Sequence, residues 1–207
     1  LIKNGLATLC SPKIIPIGKA LFFDVLLQRR LYRRSVKRWA IHSLIFLPFV
    51  VRFVWGVLAL FASNWLKEMD LAWALVDKNH PITAFVFDLT GLLIFAGIAM
   101  AYVRGGDADR NRTPGLPAQD RLALGLIGGI VLVGFILEAM RIALTGVGPM
   151  ASAAFIGYPM SFLFSGMTHL SGVYGYVWYL HAILTGAFIA YLPFSRLMHI
   201  IMAPVVL

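Results

Sequence analysis

An all-α integral membrane bundle is the fold class the sequence predicts, on three observations. The chain is 60% hydrophobic and 13% charged, with a mean hydropathy of +0.83; soluble domains run about 45–50% and about 25%. Long apolar runs stand out at about 39–65, 82–104, 121–145 and 173–200, each near or above the ~20 residues that cross a bilayer. None alternates with period two, so a barrel is disfavoured, and helices are what satisfies backbone groups in lipid.

The elements follow in order. Eight of the eighteen Lys and Arg lie between Lys13 and Arg38, just ahead of the first run. That is how a cytoplasmic flank looks under the positive-inside rule. Residues 1–38 are therefore a basic cytoplasmic lead-in and 39–207 the transmembrane bundle. The net charge of +9 belongs to topology, and with the spans removed no soluble basic fold is left to bind nucleic acid. The chain opens on Leu1 with no signal-peptide pattern, and a segment N-terminal to it is expected.

The 66–81 loop mixes Lys67 and Lys78 with Glu68, Asp70 and Asp77. RGGDADRNRTPGLPAQD, between the second and third runs, is a solvated linker. Residues 146–180 hold no Lys, Arg, Asp or Glu. The start, the 105–120 loop and the C-terminus are then cytoplasmic, and the other two loops are outside. The apolar stretch 150–168 is broken by Gly157, Pro159 and Gly166 and reads as a short outer-side interfacial or re-entrant helix. Cys10 is the single cysteine, so there is no internal disulfide, no covalent haem motif and no iron–sulfur cluster held by this chain alone.

Helix rise places the histidines by depth. Counted from Arg38 and Arg196, His42 lies ~6 Å from the inner boundary, His199 at the same edge, and His181 ~22 Å from it. On one helix, His181 and His199 would be five turns apart and on one face. His42 would meet His199 across the gap between the first and last runs. Two imidazoles at two depths suit two stacked haems better than one site. Zinc is disfavoured because no Cys or carboxylate completes four ligands, whereas haem iron takes two axial histidines.

A polar band is expected in the outer half. Arg52 is ~21 Å from the inner edge, Asp88 ~24 Å, Glu138 ~25 Å and Arg141 ~30 Å. Glu138 and Arg141 are i,i+3 neighbours able to pair. Intramembrane charges mark function more often than not. Here they suggest haem propionates or a quinol site, beside the plainer reading of mutual neutralisation. Gly125, Gly128, Gly129 and Gly134 suit close helix packing.

With these residues in view, the sequence resembles the membrane cytochrome b family typified by the respiratory nitrate reductase gamma subunit. That family includes the heterodisulfide reductase-type cytochrome b and the cytochrome b subunit of the sulfite-reduction-associated complex. The matching stretches are ALFFDVLLQRRLYRRSVKRWAIHSLIF (20–46), FILEAMRIALTG (135–146) and WYLHAILTGAFIAYLPFSRLMHIIMAP (178–204). The QRRLYRR lead-in is closer to the sulfate-respiration and Fe–S-fused branches than to nitrate reductase itself.

The resemblance implies a bundle, usually of five helices, that carries b haems and exchanges electrons between a menaquinone-type pool and a cytoplasmic iron–sulfur partner. That partner would carry heterodisulfide reductase-like cysteine motifs, and a multihaem cytochrome c could be a further component of the complex. Carried over, His42 and His199 ligate an inner haem and His181 an outer one. The family's second histidine on the first matching span has Arg52 in its place. His80, slightly ahead of His169, is then the candidate second ligand of the outer haem, which is otherwise five-coordinate or absent. Arg52, Asp88, Glu138, Arg141 and Arg38 are the candidate propionate or quinone contacts. An electron-transfer-flavoprotein:quinone oxidoreductase type Fe–S protein is the alternative partner. A haem-free transporter is the alternative of another class, and a non-redox membrane anchor is a third.

Overall fold

Ser35 begins the first long helix. Its backbone is extended, and its Oγ accepts the amide of Arg38 at 3.4 Å, a capping contact that satisfies one of the free N–H groups of a helix start. The computed structural model describes residues 14–66, 68–110, 117–146, 152–195 and 198. In chain order they form α1 (Ile14–Ala20), a π-helical turn (Leu21–Leu26), α2 (Arg29–Arg34), α3 (Val36–Trp65), α4 (Asp70–Val76), α5 (Pro81–Arg110), α6 (Ala118–Thr145), α7 (Gly157–Ser161) and α8 (Leu170–Tyr191). No strand occurs among the described residues. Four helices, α3, α5, α6 and α8, are long and apolar enough to cross a membrane.

Their ends follow local chemistry. Pro81 opens α5 and Pro117 immediately precedes α6, positions where a missing N–H costs nothing. Gly146 closes α6 with φ 59°, the left-handed cap that glycine adopts without a Cβ penalty. The last span departs from expectation. The α-helix stops at Tyr191, and Leu192–Phe194 form a 3₁₀ turn around Pro193 before extended Ser195. Proline lacks the N–H that would continue the ladder and clashes with the preceding turn. The α-helix that carries His181 therefore ends at Tyr191, and the five-turn count, which assumed one unbroken helix, does not extend past it. A second departure is α4, which lies inside the stretch read as a plain loop.

The spans pack as two hairpins, α3 with α5 and α6 with α8. Ile94 of α5, Ile127, Val131 and Phe135 of α6 and Phe188 of α8 form the buried seam. Phe95 stacks on Phe135 at 5.9 Å, and Phe49 of α3 meets Phe188 edge-on at 5.8 Å. Only Ser43, Pro48 and Ala62 of α3 are buried, so most of that helix presents apolar side chains outward, as a lipid-facing helix does. α7 packs against α6, and Ala154 joins Ala84 and Ile142 in a second buried cluster. The broken 150–168 stretch thus folds back onto the bundle.

Candidate functional site

Four side chains expected in one layer share one cavity. Arg52 of α3, Glu138 and Arg141 of α6 and His181 of α8 line a space of about 250 Å³, together with Lys78, Phe87, Tyr174 and Trp178. The charged members are fixed by specific contacts. Arg52 donates from Nε to Thr90 Oγ1 at 2.8 Å and from its other arm to the Phe87 carbonyl. Its guanidinium carbon lies 5.1 Å from the Phe87 ring centroid, and Lys78 Nζ lies 4.0 Å from the same centroid, within cation–π range. Arg141 pairs with Glu138 at 3.7 Å and donates to the Lys78 carbonyl at 3.1 Å. Gly91 makes room for this crowding, since a Cβ there would collide with the Phe135 ring and lie 2.7 Å from the Arg52 guanidinium.

Asp88 sits behind the cavity. It is fully buried, and its Oδ2 accepts the amides of Ile156 at 2.5 Å and Gly157 at 3.2 Å. The carboxylate thus caps the start of α7 from another helix. Glu138 reaches the same point, for a Cβ on Gly157 would lie 2.6 Å from Glu138 Cγ and 3.0 Å from Oε2. The two intramembrane carboxylates converge on one glycine, but only Glu138 lines the cavity.

His181 Nδ1 and Arg141 Nη1 are buried without a hydrogen-bond partner of good geometry, although the His181 ring lies against the Ile130 backbone. Such atoms are uncommon and costly, and a guest atom in the cavity would satisfy them. Arg52, Lys78 and Arg141 against Glu138 make the lining cationic, suited to a carboxylate or a reduced carrier's oxygen. The fit to an outer haem is partial: one imidazole reaches this cavity, and no second histidine lines it among the described residues. His80 faces a separate cavity of about 400 Å³ with Asp70, Trp73 and Asp77, and His169 is exposed at the start of α8. The structure therefore does not bring His80 to His181. Gly134 faces His181, where a Cβ would make ordinary contact at 3.6 Å, and Gly128 and Gly129 face Ile98 and Leu184.

At the other end of the bundle, His42 is half-buried and its Nδ1 lies 2.8 Å from Gln28 Oε1. The donor and acceptor roles in that pair follow the ring tautomer. His199, its expected partner, lies outside the described residues. Arg38 is exposed in the first turn of α3. Sequence reading passed over Gln28, Tyr174 and Trp178 as site residues, and counted Lys78 only as a loop charge.

Comparison with known proteins adds relatives. A subunit of the dihydromethanophenazine:CoB–CoM heterodisulfide reductase of Methanosarcina thermophila is 26% identical over 204 residues, covering 93% of this chain and 66% of that protein. The corresponding protein of Methanosarcina acetivorans is 27% identical over 198 residues, 91% of this chain and 64% of its own length. EtfAB:quinone oxidoreductase of Syntrophomonas wolfei is 25% identical over 187 residues, 84% of this chain and 25% of that protein. The chain thus spans just under two thirds of the heterodisulfide reductase proteins and a quarter of the quinone oxidoreductase. No family model and no solved structure matches it. These relatives bear on the heterodisulfide reductase side of the resemblance; the nitrate reductase side is not shown by them.

Proposed function

We propose that this chain is the membrane electron-transfer subunit of a respiratory oxidoreductase. It passes electrons between a menaquinone-type carrier and a cytoplasmic iron–sulfur partner through haem b. The observation that supports this most is the convergence of Arg52, Glu138, Arg141 and His181 on one cavity inside an apolar bundle. The relatives' names point the same way. One pairs a dihydromethanophenazine with a disulfide and the other names a quinone, and both classes of carrier exchange two electrons and two protons.

Haem b, when bound, supplies the one-electron chemistry. His42 and His199 would hold the inner group and His181 the outer one. Arg52 and Arg141 would bind propionates or carrier oxygens. Glu138 faces the cavity, whereas Asp88 Oδ2 is committed to two amides; Glu138 is therefore the carboxylate placed to take the carrier's proton. Arg38, at the inner edge, suits a propionate or the partner protein. The chain would lie in a bacterial or archaeal cytoplasmic membrane with its C-terminus cytoplasmic. Its partner would carry heterodisulfide reductase-like cysteine motifs; a multihaem cytochrome c would join some such complexes.

A reduced-minus-oxidised spectrum of the purified protein tests this. b-type bands are expected, with haem lost from the inner site in His42→Ala and from the outer site in His181→Ala. Absence of b-type bands, or full haem content in both variants, overturns the reading. The similarity to EtfAB:quinone oxidoreductase supports a second partner class, an electron-transfer flavoprotein system, and the protein that co-purifies decides between them.

A further inference from the structure

We propose that the groove between α3 and α5 holds one acyl chain of an anionic phospholipid, whose phosphate is met at the basic end of the bundle by Lys37 and Arg104. The groove has a volume of about 570 Å³, within the about 300–1,000 Å³ of ligand sites. Trp39, Ser43, Leu47 and Val51 line it from α3, and Leu89 and Leu93 from α5. It opens outward, with Val51 and Leu89 exposed. It is separate from the cavity at His181: α5 turns Val86 and Leu89 to the groove but Thr83 and Phe87 to that cavity.

Length and polarity select a hydrocarbon chain. From Trp39 to Val51 α3 advances about 18 Å, close to the ~15 Å of one leaflet's hydrocarbon. The Thr90 hydroxyl in the wall donates to the Val86 carbonyl at 2.6 Å and accepts from Arg52 Nε at 2.8 Å. The Trp39 indole donates to the Leu27 carbonyl at 3.0 Å. Among the lining side chains only the Ser43 hydroxyl remains as a donor, too little for the two oxygens of a quinone head group. The cations come from both walls. Lys37 precedes Leu44 and Val51, and Arg104 follows Leu93 and Val86, by close to whole helical turns. Each therefore sits on the groove face of its helix. Gly97 sets the register of the pair, since a Cβ there would lie 2.6 Å from Ile45 Cγ1. Counted from that contact, Lys37 lies about 12 Å and Arg104 about 11 Å toward the basic end, so they share one depth. Both are exposed, and neither side chain has an ion-pair or hydrogen-bond partner among the described residues. Residues 28–42 hold six Lys and Arg and no Asp or Glu. Basic clusters of this kind beside a membrane helix attract anionic head groups, at roughly fivefold in affinity per cation.

The test uses the purified full chain, delipidated in detergent and titrated with phosphatidylglycerol or phosphatidylcholine of equal chain length, with native mass spectrometry counting bound lipid. One phosphatidylglycerol per chain should bind at least about fivefold more tightly than phosphatidylcholine. Lys37→Gln and Arg104→Gln should each weaken phosphatidylglycerol about fivefold and leave phosphatidylcholine unchanged. Arg121→Gln, which removes an exposed cation of α6 at the same end, should change neither. Ala40→Phe fills the groove and should lose both lipids; Val51→Trp fills its other end and stands as the second variant. Leu60→Trp, at an exposed position on another face of α3, should keep both. Equal affinity for the two lipids, or wild-type binding in the filled variants, overturns the proposal. So does an effect of equal size in Arg121→Gln, which marks a diffuse basic surface for an acidic protein partner. Displacement of the lipid by a long-tailed quinone overturns it as well and gives the groove to the carrier's tail.

Discussion

Asp88→Ala removes the contact that holds the broken outer segment in place, along with a side-chain interaction with Glu138. Asp88 is 0% exposed and accepts two amides, from Ile156 at 2.5 Å and Gly157 at 3.2 Å. Alanine leaves both donors in an apolar site. A buried unsatisfied donor costs about 1–3 kcal/mol, so the pair costs about 2–6 kcal/mol. The longer bond falls at the low end, and removing a buried carboxylate beside Glu138 offsets part of the loss. A destabilisation of about 2–4 kcal/mol is expected. Asn keeps an oxygen acceptor, so Asp88→Asn should cost about 1 kcal/mol, the difference between charged and neutral acceptors. Equilibrium unfolding in mixed SDS–detergent micelles, read by tryptophan fluorescence, measures both, with outward-facing Leu92→Ala as the reference. An Asp88→Ala variant within about 0.5 kcal/mol of that reference would refute the capping role. Equal losses in the Ala and Asn variants would shift the account from hydrogen bonding to charge.

The other expectations use the same assay. Gly157→Ala places a Cβ 2.6 Å from Glu138 Cγ, and the displaced carboxylate is held by Arg141, so about 1–3 kcal/mol of overpacking strain is expected; wild-type stability would show that Glu138 swings away freely. Arg52→Lys keeps the charge but loses the planar fork that reaches Thr90 and the Phe87 carbonyl from two nitrogens, and should lose about 1–3 kcal/mol; full retention would mean the guanidinium fork is not used. Trp55→Phe removes the donor to the Leu75 carbonyl at 3.1 Å and should cost about 1 kcal/mol, with faster proteolysis of the α3–α5 connection; an unchanged cleavage rate argues against that bond as the tether of α4.

The spans were legible because lipid permits few alternatives to a long apolar helix. The break at Gly157 and Pro159 was legible for the same reason proline and glycine punctuate any helix. Depth counting placed Arg52, Asp88, Glu138, Arg141 and His181 in one layer, and the structure puts all but Asp88 around one cavity. The same counting does not carry past Tyr191, because it assumes unbroken α geometry and Pro193 ends that. Two residues left no periodic trace. Lys78 sits in a connection, and only its long stem lets the ammonium reach Phe87. Gln28 is one polar residue in a basic run, and its importance comes from a left-handed backbone and a contact fourteen residues away. Neither can be read from spacing.

The capping of α7 by Asp88 also imposes an order of assembly. Asp88 is synthesised before Glu138, and both precede Ile156 and Gly157. While the chain is being inserted, α5 enters the bilayer with a carboxylate whose two amide donors do not yet exist. The donors arrive only after α6 has crossed and the chain has turned back. Segment 152–165 is therefore the last piece of this half to settle, and it settles onto a template made by two helices already in place. Truncation after α6 would leave Asp88 without either of its amide donors.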